Sequence, residues 1–166
     1  MSTTFPPSEK FTKKMKNSWL FKGFLLTKLP LAAFAGLQVE ELSAEKCAVS
    51  LPYGWRSQNP FQSIYFAAQS MAAELSTGAL LMLAIESSGV SVSMLVTKME
   101  ASFGKKANAK TLFTCEDGQK IFEAIQHTIT TGESVSISTV SIGHMQDGTE
   151  VSRFTFEWSC KKRSKK

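Results

Sequence analysis

One carboxylate stands out because of the residues around it. The stretch NPFQSIYFAAQSMAAELSTG, from Asn59 to Gly78, carries a single charge, Glu74, near its far end. A carboxyl group that is partly removed from water has a raised pKa and can accept a proton, so it suits a general base or a nucleophile. The sequence therefore singles out Glu74 as the first candidate for chemistry.

The same stretch is predicted to be a helix that Asn59 and Pro60 begin and Gly78 closes. At 100° per residue, one side of this helix is polar and small, within an arc of about 80°. That side carries Asn59, Ser63, Ala67, Ser70 and Glu74. Free N–H groups in the first turn could hold a carbonyl oxygen or an anion. The polar side is either one wall of a groove or simply the solvent-exposed side of an amphipathic helix.

The histidines and cysteines do not form a metal site by spacing. The three cysteines, Cys47, Cys115 and Cys160, are widely separated and contain no CxxC pair, and His127 and His144 stand apart from them. We therefore expect no metal, and a reduced chain in the cytoplasm.

The basic charge is concentrated at the two ends of the chain. The net charge is +5, yet residues 29–160 hold eight Lys and Arg against thirteen Asp and Glu. Residues 1–28 hold six lysines and one glutamate, and the tail KKRSKK holds five cations. An acidic body argues against a nucleic-acid partner. Basic ends suit an anionic membrane surface or solubility.

The N-terminal part is predicted to be helical. Residues 1–8 read as disordered, and residues 9–28 have the spacing of an amphipathic helix, which Pro30 ends. The lysines and the prolines leave no uninterrupted apolar run long enough to span a bilayer. With Trp19, Leu20 and Phe24, this helix could make a peripheral membrane contact.

The rest of the chain is rich in strand signals. Two short strands at 37–42 and 47–51 precede the central stretch, whose continuation GALLMLAIESSG reads as either more helix or a strand. A long strand with a bend near Thr97 and Lys98, a helix from Asp117 to Gly132 and a hairpin at Asp147-Gly148 follow. This order predicts an α+β protein in which an antiparallel sheet wraps around one apolar helix. We predict a single domain over residues 1–166, with a helical extension at 1–34 and a basic tail at 161–166.

Three segments carry a family resemblance. They are KLPLAAFAGLQVEELSAEKCAVSLPYGWRSQNPFQSIYFAAQSMAAELSTG, VSMLVTKMEASFGKKANAKTLFTCEDG and DGTEVSRFTFEWSCKKR. In this order they resemble an uncharacterised bacterial family of the hotdog superfamily, a domain of unknown function related to acyl-CoA thioesterases. The resemblance implies a hotdog fold with a long central helix. It also implies a homodimer, or a tetramer of such chains, with active sites between protomers.

The resemblance also implies roles for individual residues. Glu74 resembles the acidic residue that activates water or attacks the thioester, and Asn59 and Ser63 lie where an oxyanion site is expected. The chain reads NPFQSIY where many related thioesterases have His-Gly-Gly. The residues expected to bind substrate are Ser70 in the groove and Arg56, Lys105 and Lys106 at the phosphates of coenzyme A.

The function expected is therefore hydrolysis of an acyl-CoA or a related thioester, with coenzyme A as part of the substrate and no separate cofactor. The alternative is a non-catalytic hotdog dimer that binds an acyl chain or a lipid in the same groove.

Overall fold

The computed structural model describes residues 5–163. Helices and strands alternate irregularly along the chain. In order they are α1 (Glu9–Lys16), α2 (Ser18–Lys28), α3 (Pro30–Ala35), β1 (Gln38–Leu42), β2 (Cys47–Leu51), α4 (Phe66–Ser88), β3 (Val92–Phe103), β4 (Thr111–Cys115), α5 (Gly118–Thr131), β5 (Val135–Met145) and β6 (Glu150–Lys162).

The six strands form one sheet in the order β1-β2-β4-β5-β6-β3, and every neighbouring pair is antiparallel. The predicted bend in the long strand is confirmed, because the pairing of β3 with β6 shifts register between Val96 and Lys98. The predicted hairpin is also confirmed, with Gly148 at a φ of 83° in the turn between β5 and β6. Phe154, Phe156 and Trp158 of β6 are buried on the face of the sheet that packs against the central helix.

Helix α4 is the centre of the core. The apolar run after Gly78 continues this helix, which has 23 residues and ends where Gly89 adopts a left-handed conformation with φ 65°. By length and composition α4 could cross a membrane, but 72% of its most apolar window is buried inside the protein. It is the core helix of the domain, and the sheet wraps around it.

Three buried hydrogen bonds fix the rotation of α4 on the sheet. The Ser76 hydroxyl donates to Ser141 at 2.8 Å, and the Trp158 indole donates to Thr77 at 3.2 Å. Two turns before them, Gln69 accepts a hydrogen bond from Ser152 at 2.7 Å. Rotating α4 by one residue would break all three bonds and leave buried polar groups without partners. Because such groups are costly, the bonds hold α4 in this orientation.

The N-terminal part is more broken than predicted. Instead of one helix over residues 9–28, α1 ends before Asn17, whose side-chain oxygen accepts N–H bonds from Trp19 and Leu20 and starts α2. The predicted end before Pro30 is confirmed, because α2 ends at Lys28, and Pro30 then occupies the first turn of a further helix, α3.

The prediction of disorder over residues 1–8 is wrong for its second half. The Phe5 ring packs against Phe122 at 5.4 Å between centroids, and Ser8 caps α1 by accepting the N–H of Phe11. Residues 1–4 lie outside the described part. The predicted basic tail begins inside β6, which reaches Lys162, and Arg163 donates its N–H to Ser91. Residues 164–166 lie outside the described part as well.

These elements form the α+β arrangement that the resemblance implies. A curved antiparallel sheet is wrapped around α4, and the helical N-terminal segment is added to it. The hotdog fold is therefore confirmed.

Candidate functional site

A braced loop, residues 59–65, leads into the central helix. The sequence predicts that the helix begins at Asn59 and Pro60, and this is wrong, because α4 begins at Phe66. The Asn59 side-chain oxygen accepts N–H bonds from Phe61 at 2.9 Å and Ser63 at 3.3 Å, and its amide nitrogen lies 3.0 Å from the Ser63 hydroxyl. Asn59 and Ser63 therefore brace the loop, and they do not share a helical face with Glu74.

Contacts distant in sequence fix this loop in its non-helical path. The N–H of Ile64 donates to Ala107 and the N–H of Tyr65 donates to Ser57, each at 2.7 Å. Gln62 has a φ of 57°, the only positive φ at a residue other than glycine in residues 5–163. Such a backbone costs free energy and persists where surrounding contacts enforce it. The loop therefore holds a fixed shape directly before α4.

The first turn of α4 presents two free N–H groups. Tyr65 precedes the helix without capping it by its side chain, and its carbonyl accepts the N–H groups of Ala68 and Gln69. The N–H groups of Phe66 and Ala67 have no hydrogen-bond acceptor within residues 5–163. Both point along the positive end of the helix dipole, so together they can bind a carbonyl oxygen or a negative charge.

Glu74 lies two turns further along α4, at a cavity of about 250 Å³. The cavity wall is mainly apolar, and residues 28–32 form one side of it. Its lining is Lys28, Leu29, Pro30, Leu31, Ala32, Met71, Glu74 and Leu75. The Glu74 carboxyl group makes no hydrogen bond and no ion pair with any residue from 5 to 163, and burial raises its pKa. This is the setting of a carboxyl group that can take up a proton.

Gly78 gives the Glu74 side chain its room. A Cβ atom at position 78 would lie 3.3 Å from Glu74 Oε1 and 3.4 Å from the Trp158 ring. The sequence leaves open whether the helix ends at Gly78 or continues through the next apolar run, and α4 continues to Ser88. Glu74 therefore lies within the helix, and no unfavourable interaction with a helix end applies to it.

Comparisons with known proteins decide the family. The profile of DUF4442, a domain of unknown function, matches residues 17–160. The chain belongs to the DUF4442 family. No curated protein matches it.

Solved structures share the fold of this DUF4442 chain. A protein of unknown function from Chlorobaculum tepidum TLS has a TM-score of 0.78 at 16% identity, over 97% of this chain and 99% of its own. A Pseudomonas aeruginosa protein, named a probable thioesterase, has a TM-score of 0.73 at 19% identity, over 90% and 99%. A Haemophilus influenzae thioesterase has a TM-score of 0.59 at 11% identity, over 82% and 86%. The DUF4442 chain therefore shares its fold with proteins that are named thioesterases.

Two of the other predicted binding residues, Lys106 and Ser70, lie near the start of helix α4 in the DUF4442 fold. Lys106 Nζ donates to the carbonyl of Phe61 at 3.3 Å, which places it beside the loop braced by Asn59 and Ser63. The Ser70 hydroxyl donates to the carbonyl of Phe66 at 2.9 Å, one turn before Glu74. Asn59, Ser63 and Lys106 are therefore brought together, and Ser70 lies between them and Glu74.

The remaining two predicted residues lie apart from that group. Lys105 is exposed in the turn after β3. Arg56 is exposed and its guanidinium lies over Gly36, with Nη2 3.1 Å from the position of a Cβ there. Arg56 therefore covers the turn between α3 and β1.

Sequence reasoning missed the aromatic surface beside the helix start. Tyr65 is 47% exposed and lies edge-on to Phe66, with 4.9 Å between the ring centroids. Phe66 in turn meets Phe103 of β3 at 6.4 Å, and Met99 is exposed on the same side of β3 as Phe103. The alternation Met99, Ala101, Phe103 after the bend was the available signal for this surface.

Metal chemistry has no visible ligand set in the described chain. Across residues 5–163, no group of three or more His, Cys, Asp or Glu side chains is arranged to hold a metal ion. Cys47, Cys115 and Cys160 are buried thiols, and burial raises the pKa of each of them. A thiol of this kind is a poor nucleophile, so Glu74 stays the first candidate for chemistry.

Proposed function

We propose that this DUF4442 protein hydrolyses an acyl-CoA or a related thioester, with Glu74 as the base or the nucleophile. The observation that carries the proposal is the Glu74 carboxyl group, unpaired within residues 5–163, which lies at an apolar cavity on the central helix of a thioesterase-like fold. The reaction consumes water and requires no separate cofactor, and coenzyme A enters as part of the substrate.

The chemistry follows from the two parts of the site. Ionised Glu74 accepts a proton from water while the water oxygen bonds to the thioester carbonyl carbon. The N–H groups of Phe66 and Ala67 hold the oxygen that becomes negative, and the intermediate then expels the thiolate. Direct attack by the Glu74 carboxylate, followed by hydrolysis of the resulting anhydride, uses the same groups.

The geometry of one protomer supports a site shared between two. Glu74 follows Phe66 by eight residues, so the two Cα atoms lie about 12 Å apart along the helix. Reacting atoms must approach to roughly 3–3.5 Å. The start of α4 and the Glu74 of the same chain are therefore too far apart to act on one carbonyl group. We propose that the start of α4 works with Glu74 of a second copy.

The edge strand β3 supports a homodimer. It is paired with β6 on one side only, it is 12 residues long, and it exposes Leu95, Met99 and Phe103. A long apolar edge strand of this kind is a template for pairing with another strand. We place the dimer contact along β3, and association of two dimers gives the tetramer that is the alternative assembly.

Three cations complete the proposal. Lys106, beside the loop, supplies charge-assisted hydrogen bonds for the phosphates of coenzyme A. Lys105, its neighbour in sequence, and Arg56, over the turn between α3 and β1, are the further candidates. A cytoplasmic location belongs to the same proposal, since the three cysteines are buried and unpaired.

The second candidate function is acyl or lipid binding without turnover. It is favoured by the side chains at the helix start, where Tyr65 and Phe66 stand exposed beside the N–H groups that would hold the carbonyl. These rings narrow the approach of a thioester, while the apolar cavity would still accept an acyl chain.

One assay separates the two functions. Purified protein, Glu74→Gln and the control Glu86→Gln, which changes an exposed glutamate on the same helix, are tested on acyl-CoAs of increasing chain length with free thiol as the readout. We expect turnover by the wild type and the control, and a kcat lower by at least roughly 100-fold for Glu74→Gln. Binding without turnover at any chain length supports the second function, and equal turnover by all three proteins removes Glu74 from the mechanism.

A further inference from the structure

Helix α2 is apolar on two sides, and only one of them is covered. Phe21 and Leu25 are buried in the core, whereas Trp19 is 83% exposed and Leu26 is 68% exposed on the opposite side. A helix that is apolar all round is normally buried on every side. We therefore expect the exposed apolar side of α2 to contact a partner.

The exposed apolar residues continue beyond α2. Leu31 and Phe34 of α3 are exposed, and Phe34 meets the exposed Trp55 edge-on at 6.1 Å. We call this set the N-terminal apolar surface. Its members are Trp19, Leu20, Leu26, Leu31, Phe34 and Trp55. A set of this size, with two tryptophans, marks an interaction site on a soluble fold.

The surface is bordered by positive charge. Residues 5–36 contain six exposed lysines and a single glutamate, Glu9. Lys22 lies over the ring of Trp19 at 5.8 Å and Lys14 over the ring of Phe24 at 5.3 Å, so cations stand next to apolar side chains. Tryptophan and leucine beside lysine is the composition that enters the headgroup region of an anionic bilayer.

A second copy of the chain fits this surface less well. A two-fold interface pairs a surface with itself, so the lysines of one copy would face those of the other. An anionic lipid surface meets the charge, and no member of the N-terminal apolar surface belongs to β3, the strand proposed for the dimer.

The same helices reach the candidate catalytic cavity. The corner between α2 and α3, residues 28–32, forms one side of the cavity that holds Glu74. Leu29 and Leu31 belong to that corner and are exposed. Because Leu31 belongs both to the N-terminal apolar surface and to the cavity wall, the surface adjoins the cavity that holds Glu74.

We propose that α2 and α3 dock this protein on anionic phospholipid bilayers, and that the corner at residues 28–32 admits an acyl chain from the bilayer to the Glu74 cavity. The docking stands on the exposed residues and the charge alone. The passage of the chain rests on the proposed function.

Vesicle binding tests the docking. Full-length protein is sedimented with phosphatidylcholine vesicles that either contain or lack one quarter phosphatidylglycerol. Trp19→Ser/Leu20→Ser/Leu26→Ser removes exposed apolar groups of α2 that do not line the Glu74 cavity, so we expect an unchanged unfolding temperature and a loss of binding of at least about tenfold. Leu112→Ser, at a partly exposed leucine of β4, is the control and retains wild-type binding.

The charge is tested in the same assay. Each lysine near an anionic surface contributes roughly fivefold, so Lys22→Ala/Lys28→Ala weakens binding by roughly thirtyfold at low salt. Lys120→Ala/Lys161→Ala carries the same change in net charge elsewhere on the protein and leaves binding close to that of the wild type.

Fluorescence shows whether the surface enters the lipid. In a Trp55→Phe background, Trp19 is an exposed reporter and Trp158, 3% exposed, is a buried reference. Vesicles that contain brominated acyl chains should quench Trp19 and shift its emission to the blue. The Trp19→Phe/Trp55→Phe variant should show neither effect.

Several outcomes would overturn the docking. Binding by the triple serine variant that equals that of the wild type would do so, as would equal binding to neutral and anionic vesicles. A change in oligomeric state of the triple variant, measured by light scattering, would assign the surface to a protein partner instead.

The acyl passage is tested with two thioesters. We expect the triple variant to lose turnover of a long-chain acyl-CoA held in anionic vesicles by at least about tenfold, and to keep turnover of a short, water-soluble one. Full turnover of both removes the passage. Vesicle binding by the wild type without turnover of either thioester refutes the proposed function and leaves the docking in place.

Discussion

At the scale of single residues, Glu74 is set apart by what surrounds its carboxyl group. Burial raises its pKa, and the carboxyl group has no hydrogen bond or ion pair with the rest of residues 5–163 to offset the cost. Gly78 and Trp158 border the Glu74 carboxyl group. A Cβ atom at position 78 would contact both the Glu74 side chain and the Trp158 ring. A residue held at such a cost, inside a helix with many apolar positions, is explained by chemistry better than by stability.

The partly buried carboxyl group of Glu74 predicts a pH-dependent stability. The folded protein holds the Glu74 proton where the unfolded chain has released it, so the unfolding free energy falls as pH rises from the ordinary pKa of 4.5 through the raised folded pKa. We expect Glu74→Gln to remove this fall, so that the variant gains stability relative to the wild type across that window. Urea unfolding between about pH 4 and pH 8 measures it.

The exposed Glu86→Gln on the same helix is the matched control, and its difference from the wild type should not change through that window. A constant difference between Glu74→Gln and the wild type at every pH would contradict the prediction.

At the scale of elements, the loop at residues 59–65 decides where the central helix begins. Asn59 binds Phe61 and Ser63 within the loop, and Lys106 binds the Phe61 carbonyl from the turn after β3. Together these contacts leave the N–H groups of the first helical turn uncovered. The predicted oxyanion role of Asn59 and Ser63 stays a proposal, and the bracing contacts show how they could act through the backbone of α4.

Removing this brace should affect stability and turnover differently. Asn59→Ala loses three hydrogen bonds, so we expect a loss of unfolding free energy of about 1–2 kcal/mol. If the helix start holds the oxyanion, kcat should fall by more than the folded fraction does. Thermal unfolding and acyl-CoA turnover are measured on the same samples.

Asn108→Ala, an exposed asparagine in the segment before β4, is the control and should match the wild type in both assays. An unchanged kcat in Asn59→Ala would separate the loop from catalysis.

At the scale of the whole molecule, we assign different binding partners to two exposed apolar regions. The edge of β3, with Leu95, Met99 and Phe103, is assigned to the second protomer. The N-terminal apolar surface is assigned to the bilayer. Because the two regions have no residue in common, each can be changed without the other.

The dimer is tested by charge on the β3 edge. Met99→Glu/Phe103→Glu places two like charges on each copy where the strands would meet, so we expect monomers of 18.2 kDa where the wild type gives twice that mass. Light scattering coupled to size-exclusion chromatography measures the mass. Because the proposed site is shared, turnover should be lost with the dimer.

Leu20→Glu, an equally drastic change on the exposed side of α2, is the control and should remain dimeric. A monomeric wild type, or a dimeric double variant with normal turnover, would refute the contact along β3.

Local sequence patterns predicted much of the fold and the candidate residue, and they failed where distant contacts decide. The bend near Thr97 and Lys98, the turn at Asp147-Gly148 and the alternation on β6 follow from side-chain periodicity and turn chemistry, which act over a few residues. The start of α4 does not follow from these local effects. Asn59 and Pro60 form a good local start signal, yet hydrogen bonds from Ile64 and Tyr65 to Ala107 and Ser57 hold the segment out of the helix.

By itself, the sequence determined that one apolar helix carries a lone carboxylate at position 74 and that antiparallel strands surround this helix, because both are properties of periodicity and charge. Only the tertiary structure decided what that carboxylate meets. Residues 28–32 lie far from Glu74 in sequence, and their packing against α4 creates the cavity. The partial burial of Glu74 there raises the pKa of its carboxyl group, which is why its chemistry depends on the folded chain.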